Sequence, residues 1–194
     1  MRLDYPEGAT PLEPDTIAGL LPNLTTQAEL NEFEARNILD AVNWARWARG
    51  SNRDILLLPT LRRLHERMFA LTWQWAGQFR KSETNIGISP AQIPMRLEQL
   101  CGNTRYQIEH NVCPWDELAV RFHHELVSIH PFPNGNGRHA RLATDIMLER
   151  NGQARFTWGS HSLTEGTAIR REYIEALREA DQGNIGRLFR FVRT

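Results

Sequence analysis

The sequence predicts a mainly α-helical domain with one small β-hairpin. Three observations carry that expectation. Apolar residues recur every three or four positions through most of the chain. Two capping boxes, Thr26-Gln27-Ala28-Glu29 and Ser162-Leu163-Thr164-Glu165, open helices. Between Gly77 and Pro90 the period shifts to alternation mixed with Asn and Gly turn residues.

Taken in order, residues 1–24 hold Pro6, Pro11, Pro14 and Pro22 around an apolar cluster, Ile17 to Leu21. They read as an extended arm with at most one helical turn, wrapped on the body, which leaves 25–194 as the domain proper. The first capping box starts a helix that runs to about Arg49 and stops at Gly50. Pro59-Thr60 opens a second, with Leu61, Leu64, Met68 and Phe69 on one face. A third starts near Pro94. Pro114 and Asp116 open a fourth, carrying Leu118, Phe122, Leu126 and Ile129 and ending at His130-Pro131. The next is expected from about Arg138 to Asn151-Gly152, the second capping box opens another through Tyr173 and Leu177, and Ile185 to Val192 closes the chain. The hairpin belongs to 78–88.

At 194 residues the chain is one domain's worth. Lys+Arg and Asp+Glu both number 23, a formal net charge of zero, which argues against a protein that coats nucleic acid by bulk charge. Lys81 is the only lysine, so a P-loop and a kinase-type lysine are excluded elsewhere. Cys101 and Cys113 cannot build a disulfide framework or a four-ligand zinc site. No run is long enough to span a bilayer, and Met1 to Pro6 lacks a signal peptide's apolar core. The expectation is a cytoplasmic protein without membrane contact.

The chemistry concentrates in His130-Pro131-Phe132-Pro133-Asn134-Gly135-Asn136-Gly137-Arg138-His139-Ala140-Arg141. One helix ends at the histidine and a glycine-bearing loop leads into another. Gly135 and Gly137 permit positive φ and let backbone N–H groups approach an anion. The new helix adds its N-terminal dipole, and Arg138 and Arg141 lie three apart on its first turn. These features point to a phosphate-rich ligand. His130 at its rim has the chemistry to take a proton from an attacking hydroxyl. The helix behind it raises its pKa and the helix ahead lowers it, so the net sign is open.

This stretch resembles the active-site motif of the Fic (Fido) family, HxFx(D/E)GNGRxxR, matching at His130, Phe132, Gly135, Asn136, Gly137, Arg138 and Arg141. The flanks resemble it too, in His65 to Phe69 leading to Trp75 to Arg80, and in Tyr173 to Leu177 followed by Ala180-Asp181-Gln182-Gly183. With its proline-rich arm and Asn134, the chain is most similar to the subgroup called mobile mystery protein B.

The resemblance implies a Fic-type helical bundle that moves AMP from ATP to a Ser, Thr or Tyr hydroxyl of a target protein. It implies His130 as general base, Asn136 and the Gly135–Gly137 amides as anion hole, and Arg138 and Arg141 on the ATP phosphates. Phe132 would anchor the loop, and a hairpin flap over Thr84, Asn85, Ile86, Gly87 and Ile88 would dock the target by strand addition. Asn134 stands where the family has a Mg²⁺-binding acid. That predicts weaker Mg²⁺ or Mn²⁺ binding, a different metal geometry or a changed donor. The alternatives are a catalytically weak nucleotide-binding module and a variant that transfers another phosphate-containing group. The family's inhibitory motif, (S/T)xxxE(G/N), is matched neither at Thr25–Leu30 nor at His161–Gly166. Restraint is therefore expected from a partner, an antitoxin or small helix-turn-helix protein.

Blander readings apply elsewhere. His123-His124-Glu125 lacks the second histidine of HExxH, since position 128 is Ser128, and both histidines are expected to be satisfied helix residues near the site. His139 is expected at the surface or on the nucleotide, and His65, His110 and His161 in structural or exposed roles. Trp44, Trp47, Trp73, Trp75 and Trp115 are expected in the core, and Glu29, Glu32 and Glu34 on a solvated helix face.

Overall fold

A computed structural model of the chain describes residues 14–24, 26–47, 54–159 and 168–194. Its elements are α1 (Pro14–Ile17), α2 (Gln27–Trp47), α3 (Leu58–Phe69), a 3₁₀ turn at Pro90–Gln92, α4 (Ile93–Glu109), α5 (Trp115–Ile129), α6 (Asn136–Arg150), α7 (Ala168–Asp181) and α8 (Gly186–Phe191). The mainly helical class is as the periodicity predicts.

The caps explain where the helices begin. At α2 the Glu29 N–H donates to Thr26 Oγ1 at 3.2 Å and the Thr26 N–H donates to Glu29 Oε2 at 3.0 Å, a closed capping box. Pro59 sits in the first turn of α3, and Pro114 takes the N-cap position of α5. The second capping box and the Gly50 stop lie outside the described residues.

The helices form one bundle, with α2 packed on α3, α5 between α4 and α6, and α7 on α8. Its centre is Leu64, Met68 and Phe69 from α3, Leu97 from α4, Leu126 and Ile129 from α5, and Met147 from α6, all essentially inaccessible. Burying each such side chain contributes about 1.5–3 kcal/mol relative to exposure. Residues 14–24 lie along the segment after α3. The Leu21 N–H donates to the Thr72 carbonyl at 2.9 Å, the Gln74 N–H to Gly19 at 2.8 Å, and the Trp75 indole N–H to Thr16 at 3.0 Å. The isolated antiparallel bridge Leu20–Trp73 belongs to this contact.

The predicted hairpin at 78–88 does not form. The segment is irregular, with no strand at any of its residues. Phe79 and Ile88 pack on the core and Arg80 is buried between them and the loop, a spacing that does not alternate. The carbonyls of Ser82 and Ile88 accept from the Arg80 guanidinium rather than from a partner strand.

Candidate active site

His130 caps α5 in the left-handed region, φ 52° and ψ 60°, a conformation that costs a non-glycine residue roughly 1–2 kcal/mol. It ends α5 and turns the chain into the loop. The residue is 6% exposed, and its carbonyl accepts from Arg80 Nε at 2.7 Å. Burial first and the Arg80 charge second lower its pKa to about 4, against a raising hydrogen bond with the Val127 backbone. The sign left open by the sequence is therefore downward, and the imidazole is neutral near pH 7. A neutral imidazole can accept a proton.

The loop is braced from inside. Phe132 is fully buried and stacks on His65, ring centroids 3.7 Å apart. His65 Nδ1 accepts the Gly77 N–H at 3.0 Å, which leaves Nε2 as the protonated nitrogen donating to the Asn134 carbonyl at 3.0 Å. His65 is thus a loop support, buried and with its pKa lowered well below the ordinary range by that burial. Asn136 Oδ1 accepts the Phe132 N–H at 2.9 Å and its Nδ2 donates to the Phe132 carbonyl at 2.8 Å. Its carboxamide is committed to the loop at both ends, and what it offers a ligand is its backbone N–H.

Helix α6 begins at Asn136, two residues before the expected start, because Gly135 takes the N-cap with φ 77°. A Cβ there would lie 2.6 Å from the Phe69 ring, so only glycine fits. Gly137 is different. It lies inside the helix without a positive φ, and a Cβ would meet only Tyr173 Oη at 3.6 Å and Arg141 Nη1 at 3.8 Å. The first intrahelical bond is from the His139 N–H to Gly135 at 2.9 Å, so the amides of Asn136, Gly137 and Arg138 have no carbonyl within the helix. Three first-turn amides, the helix dipole and two arginines make an anion cradle.

The arginines are held differently. Arg138 Nη1 donates to Glu34 Oε2 at 2.6 Å, and its guanidinium lies over the Phe69 ring at 4.9 Å. Glu34 is 4% exposed and also accepts from the Trp73 indole at 2.6 Å, which corrects its expected place on a solvated face. Arg141 lies over the Tyr173 ring at 5.1 Å, and Tyr173 Oη meets His123 Nε2 at 3.0 Å. His139 is neither at the surface nor in the cradle, for it is fully buried with Nε2 on the Leu61 carbonyl at 2.9 Å. His124 meets Asp181 Oδ1 at 2.8 Å. Trp73 is core, stacked on Trp75 with centroids 5.0 Å apart.

The segment 78–88 runs beside His130. The Arg80 N–H donates to the Pro131 carbonyl at 3.0 Å and the Ile88 N–H to Ile129 at 3.5 Å. Asn85, Ile86 and Gly87 are exposed, and Thr84 Oγ1 donates to the Ile86 carbonyl at 2.6 Å. Arg80, Glu34 and His65 are the residues that sequence reading missed. Only His65 and Arg80 left a trace, standing within the flanks that resemble the family.

For a metal, the loop offers the neutral Asn134 Oδ1, and that atom already accepts the Gly135 N–H. Among the described residues no cluster of three or more His, Cys, Asp or Glu side chains could hold a cation. The donor set does not fit a resident divalent metal, which prefers several oxygen ligands including carboxylate.

The fold and loop define a class, a helical domain with three first-turn amides lacking intrahelical partners and two arginines at a helix N-terminus beside a buried histidine. Residues 56–148 match the family model described as Fic/DOC family. It is 29% identical over 120 residues to protein adenylyltransferase fic-1 of Caenorhabditis briggsae, covering 60% of this chain and 22% of that one. It is 39% identical over 67 residues to a probable protein adenylyltransferase of Aquifex aeolicus, covering 34% of this chain and 18% of that one. The chain thus spans about a fifth of the length of these curated relatives. Fic-1 from C. elegans superposes with TM-score 0.69 at 22% identity, over 91% of this chain and 51% of that one. BepC from Bartonella tribocorum, solved with bound AMPPNP, gives TM-score 0.69 at 18% identity, over 93% and 97%. No helix among the described residues is long and apolar enough to cross a membrane.

Proposed function

We propose that the chain is a protein adenylyltransferase that moves AMP from ATP to a Ser, Thr or Tyr hydroxyl of a target protein. The observation that carries this is the pairing of a neutral, buried His130 with the anion cradle of α6 on one braced loop. The relatives named adenylyltransferases and the neighbour holding AMPPNP support the same donor.

In this reading His130 takes the proton of the target hydroxyl. The hydroxyl oxygen forms a bond to the α-phosphorus, the bond from that phosphorus to the bridging oxygen of the β-phosphate breaks, and pyrophosphate leaves. The amides of Asn136, Gly137 and Arg138, with Arg138 and Arg141, meet the phosphate charge as it develops. The segment Thr84–Ile88 holds the target chain beside His130, and its exposed backbone at 85–87 suits pairing with an extended peptide. Mg²⁺ or Mn²⁺ would arrive on the nucleotide phosphates rather than wait in the protein. The same reading proposes a cytoplasmic reaction restrained by a separate antitoxin or helix-turn-helix partner.

A second reading is favoured by one observation. Arg138 is tied to Glu34 and Asn134 Oδ1 is tied to Gly135, as suits a module that binds nucleotide without transfer. ATP labelled in turn on the α- and γ-phosphate decides between them. Incorporation of the α-label alone, lost in His130→Ala, supports adenylyl transfer. Incorporation of the γ-label indicates phosphotransfer, and saturable binding without either label supports the module.

A further inference from the structure

Arg80 is a buried arginine, 3% exposed, whose guanidinium donates to four backbone carbonyls. Charged side chains this buried are ordinarily paired with an opposite charge, and here the Glu83 charge acts on Arg80 while the hydrogen bonds go to carbonyls. Its Nε donates to the His130 carbonyl at 2.7 Å and its Nη1 to Ser82 at 3.0 Å, while Nη2 serves both Ile88 and, at 3.5 Å, Ile129. The four acceptors fall into two groups. Ile129 and His130 end the helix that carries the histidine, where the dipole leaves negative charge for a cation. Ser82 and Ile88 belong to the segment that runs alongside.

We propose that Arg80 is a positioning residue that locks His130 and the 82–88 segment into one register, so that a hydroxyl presented on the segment meets the imidazole. The inference rests on the reading of His130 as the base.

Two further observations support the lock. His130 sits in the left-handed region, and such a conformation persists only where its surroundings over-determine it. The guanidinium on its carbonyl and the Arg80 N–H on the Pro131 carbonyl hold the two peptides that follow it. Gly87, φ 108°, then sets how closely the segment approaches. A Cβ there would lie 2.7 Å from both Arg80 Nη2 and the His130 Cβ. The three residues therefore touch with no room for a methyl group. Proton transfer needs its partners within hydrogen-bond reach, and a displacement of about 1 Å costs on the order of 10²-fold in rate. Arg80 is a charged side chain that bears on His130, alongside burial and the α5 backbone at Val127.

The test uses the full chain, with labelled histidine, as wild type, Arg80→Gln and Arg80→Lys. Four quantities are measured: amide hydrogen exchange, His130 imidazole NMR against pH, AMPPNP affinity, and AMP self-labelling by intact mass with Mg²⁺-ATP. Arg80→Gln is expected to bind AMPPNP within twofold of wild type. Its backbone amides at position 80 and at Ile88 exchange at least tenfold faster, its His130 midpoint rises and its labelling slows at least tenfold. Arg80→Lys keeps the charge and loses the fork, so the His130 midpoint returns while exchange and labelling stay impaired. Unchanged protection and an unchanged His130 signal in either folded variant overturn the proposal. So does labelling at the wild-type rate. If Arg80→Gln does not fold, Arg80→Lys decides by the same exchange comparison. If the wild type incorporates no AMP with Mg²⁺ or Mn²⁺ and transfers none to candidate target proteins, the adenylyltransferase reading fails, and exchange and NMR still show whether Arg80 joins the two segments.

Discussion

Glu34 on α2 and Arg138 on α6 stand 104 positions apart in sequence and meet across 2.6 Å. The carboxylate is buried and shared with the Trp73 indole, whereas the guanidinium is about one-third exposed at the mouth of the cradle. One acid on the helix nearest the N-terminal arm therefore competes with any phosphate for the first arginine of the site.

Removing that competition has two separable effects. Glu34→Gln keeps an acceptor for the Trp73 indole and releases the Arg138 charge, so ATP affinity by calorimetry rises several-fold. Glu34→Ala leaves the indole unpaired as well and costs about 2 kcal/mol of stability, less than a fully buried pair because Arg138 is partly solvated. Chemical denaturation of the two variants separates the terms.

The two loop glycines respond oppositely to alanine. Gly135→Ala forces φ 77° on an L-residue and drives its Cβ into Phe69, for a loss of about 2–4 kcal/mol. Gly137→Ala meets only ordinary contacts inside a helix and gains up to ~1 kcal/mol of helix propensity. It narrows the approach to the first-turn amides, so nucleotide affinity falls in a protein at least as stable as wild type.

Acid destabilises this chain through its buried histidines. His123 is lowered to about 3, His130 and His139 to about 4, and His65 well below its ordinary 6.5, all chiefly by burial. Their contribution is complete above pH 6.5. As pH falls toward 4 the unfolded chain takes up protons that the native chain refuses, at up to ~1.4 kcal/mol per pH unit for each histidine. Asp145, raised to about 6 by burial, acts in the opposite sense and offsets one of them. Urea midpoints should fall steadily between pH 6.5 and 4.5, and the acid limb of the transfer rate should lie near pH 4 rather than 6.5.

Asn134→Asp returns a negative oxygen to the loop without disturbing the His65 hydrogen bond, which uses the backbone carbonyl. Mg²⁺ should then strengthen ATP binding more in the variant than in wild type. Equal Mg²⁺ dependence in both would show that the residue at 134 does not set metal affinity.

What the sequence made legible was local. Helix starts followed from caps and prolines within a turn of the residues they serve, as at Thr26–Glu29 and Pro59. The loop's outline followed from glycine and arginine spacing. Long-range choices were not legible. Glu34 looks solvated until Trp73 and Arg138 are brought to it, and His139 faces Leu61 rather than the cradle because the first turn of α6 rotates it inward. The hairpin at 78–88 failed for a related reason. The inward residues Phe79 and Arg80 are consecutive, and Arg80 satisfies the carbonyls that a second strand would have taken.

The central claim is that His130 and the α6 cradle transfer a nucleotide. It is tested most directly by intact mass of the purified chain after incubation with ATP and Mg²⁺ or Mn²⁺, beside His130→Ala. A gain of one AMP in the wild type and none in the folded variant is the predicted result. An equal gain in both, or no gain in the wild type with either metal and with candidate target proteins supplied, would contradict it.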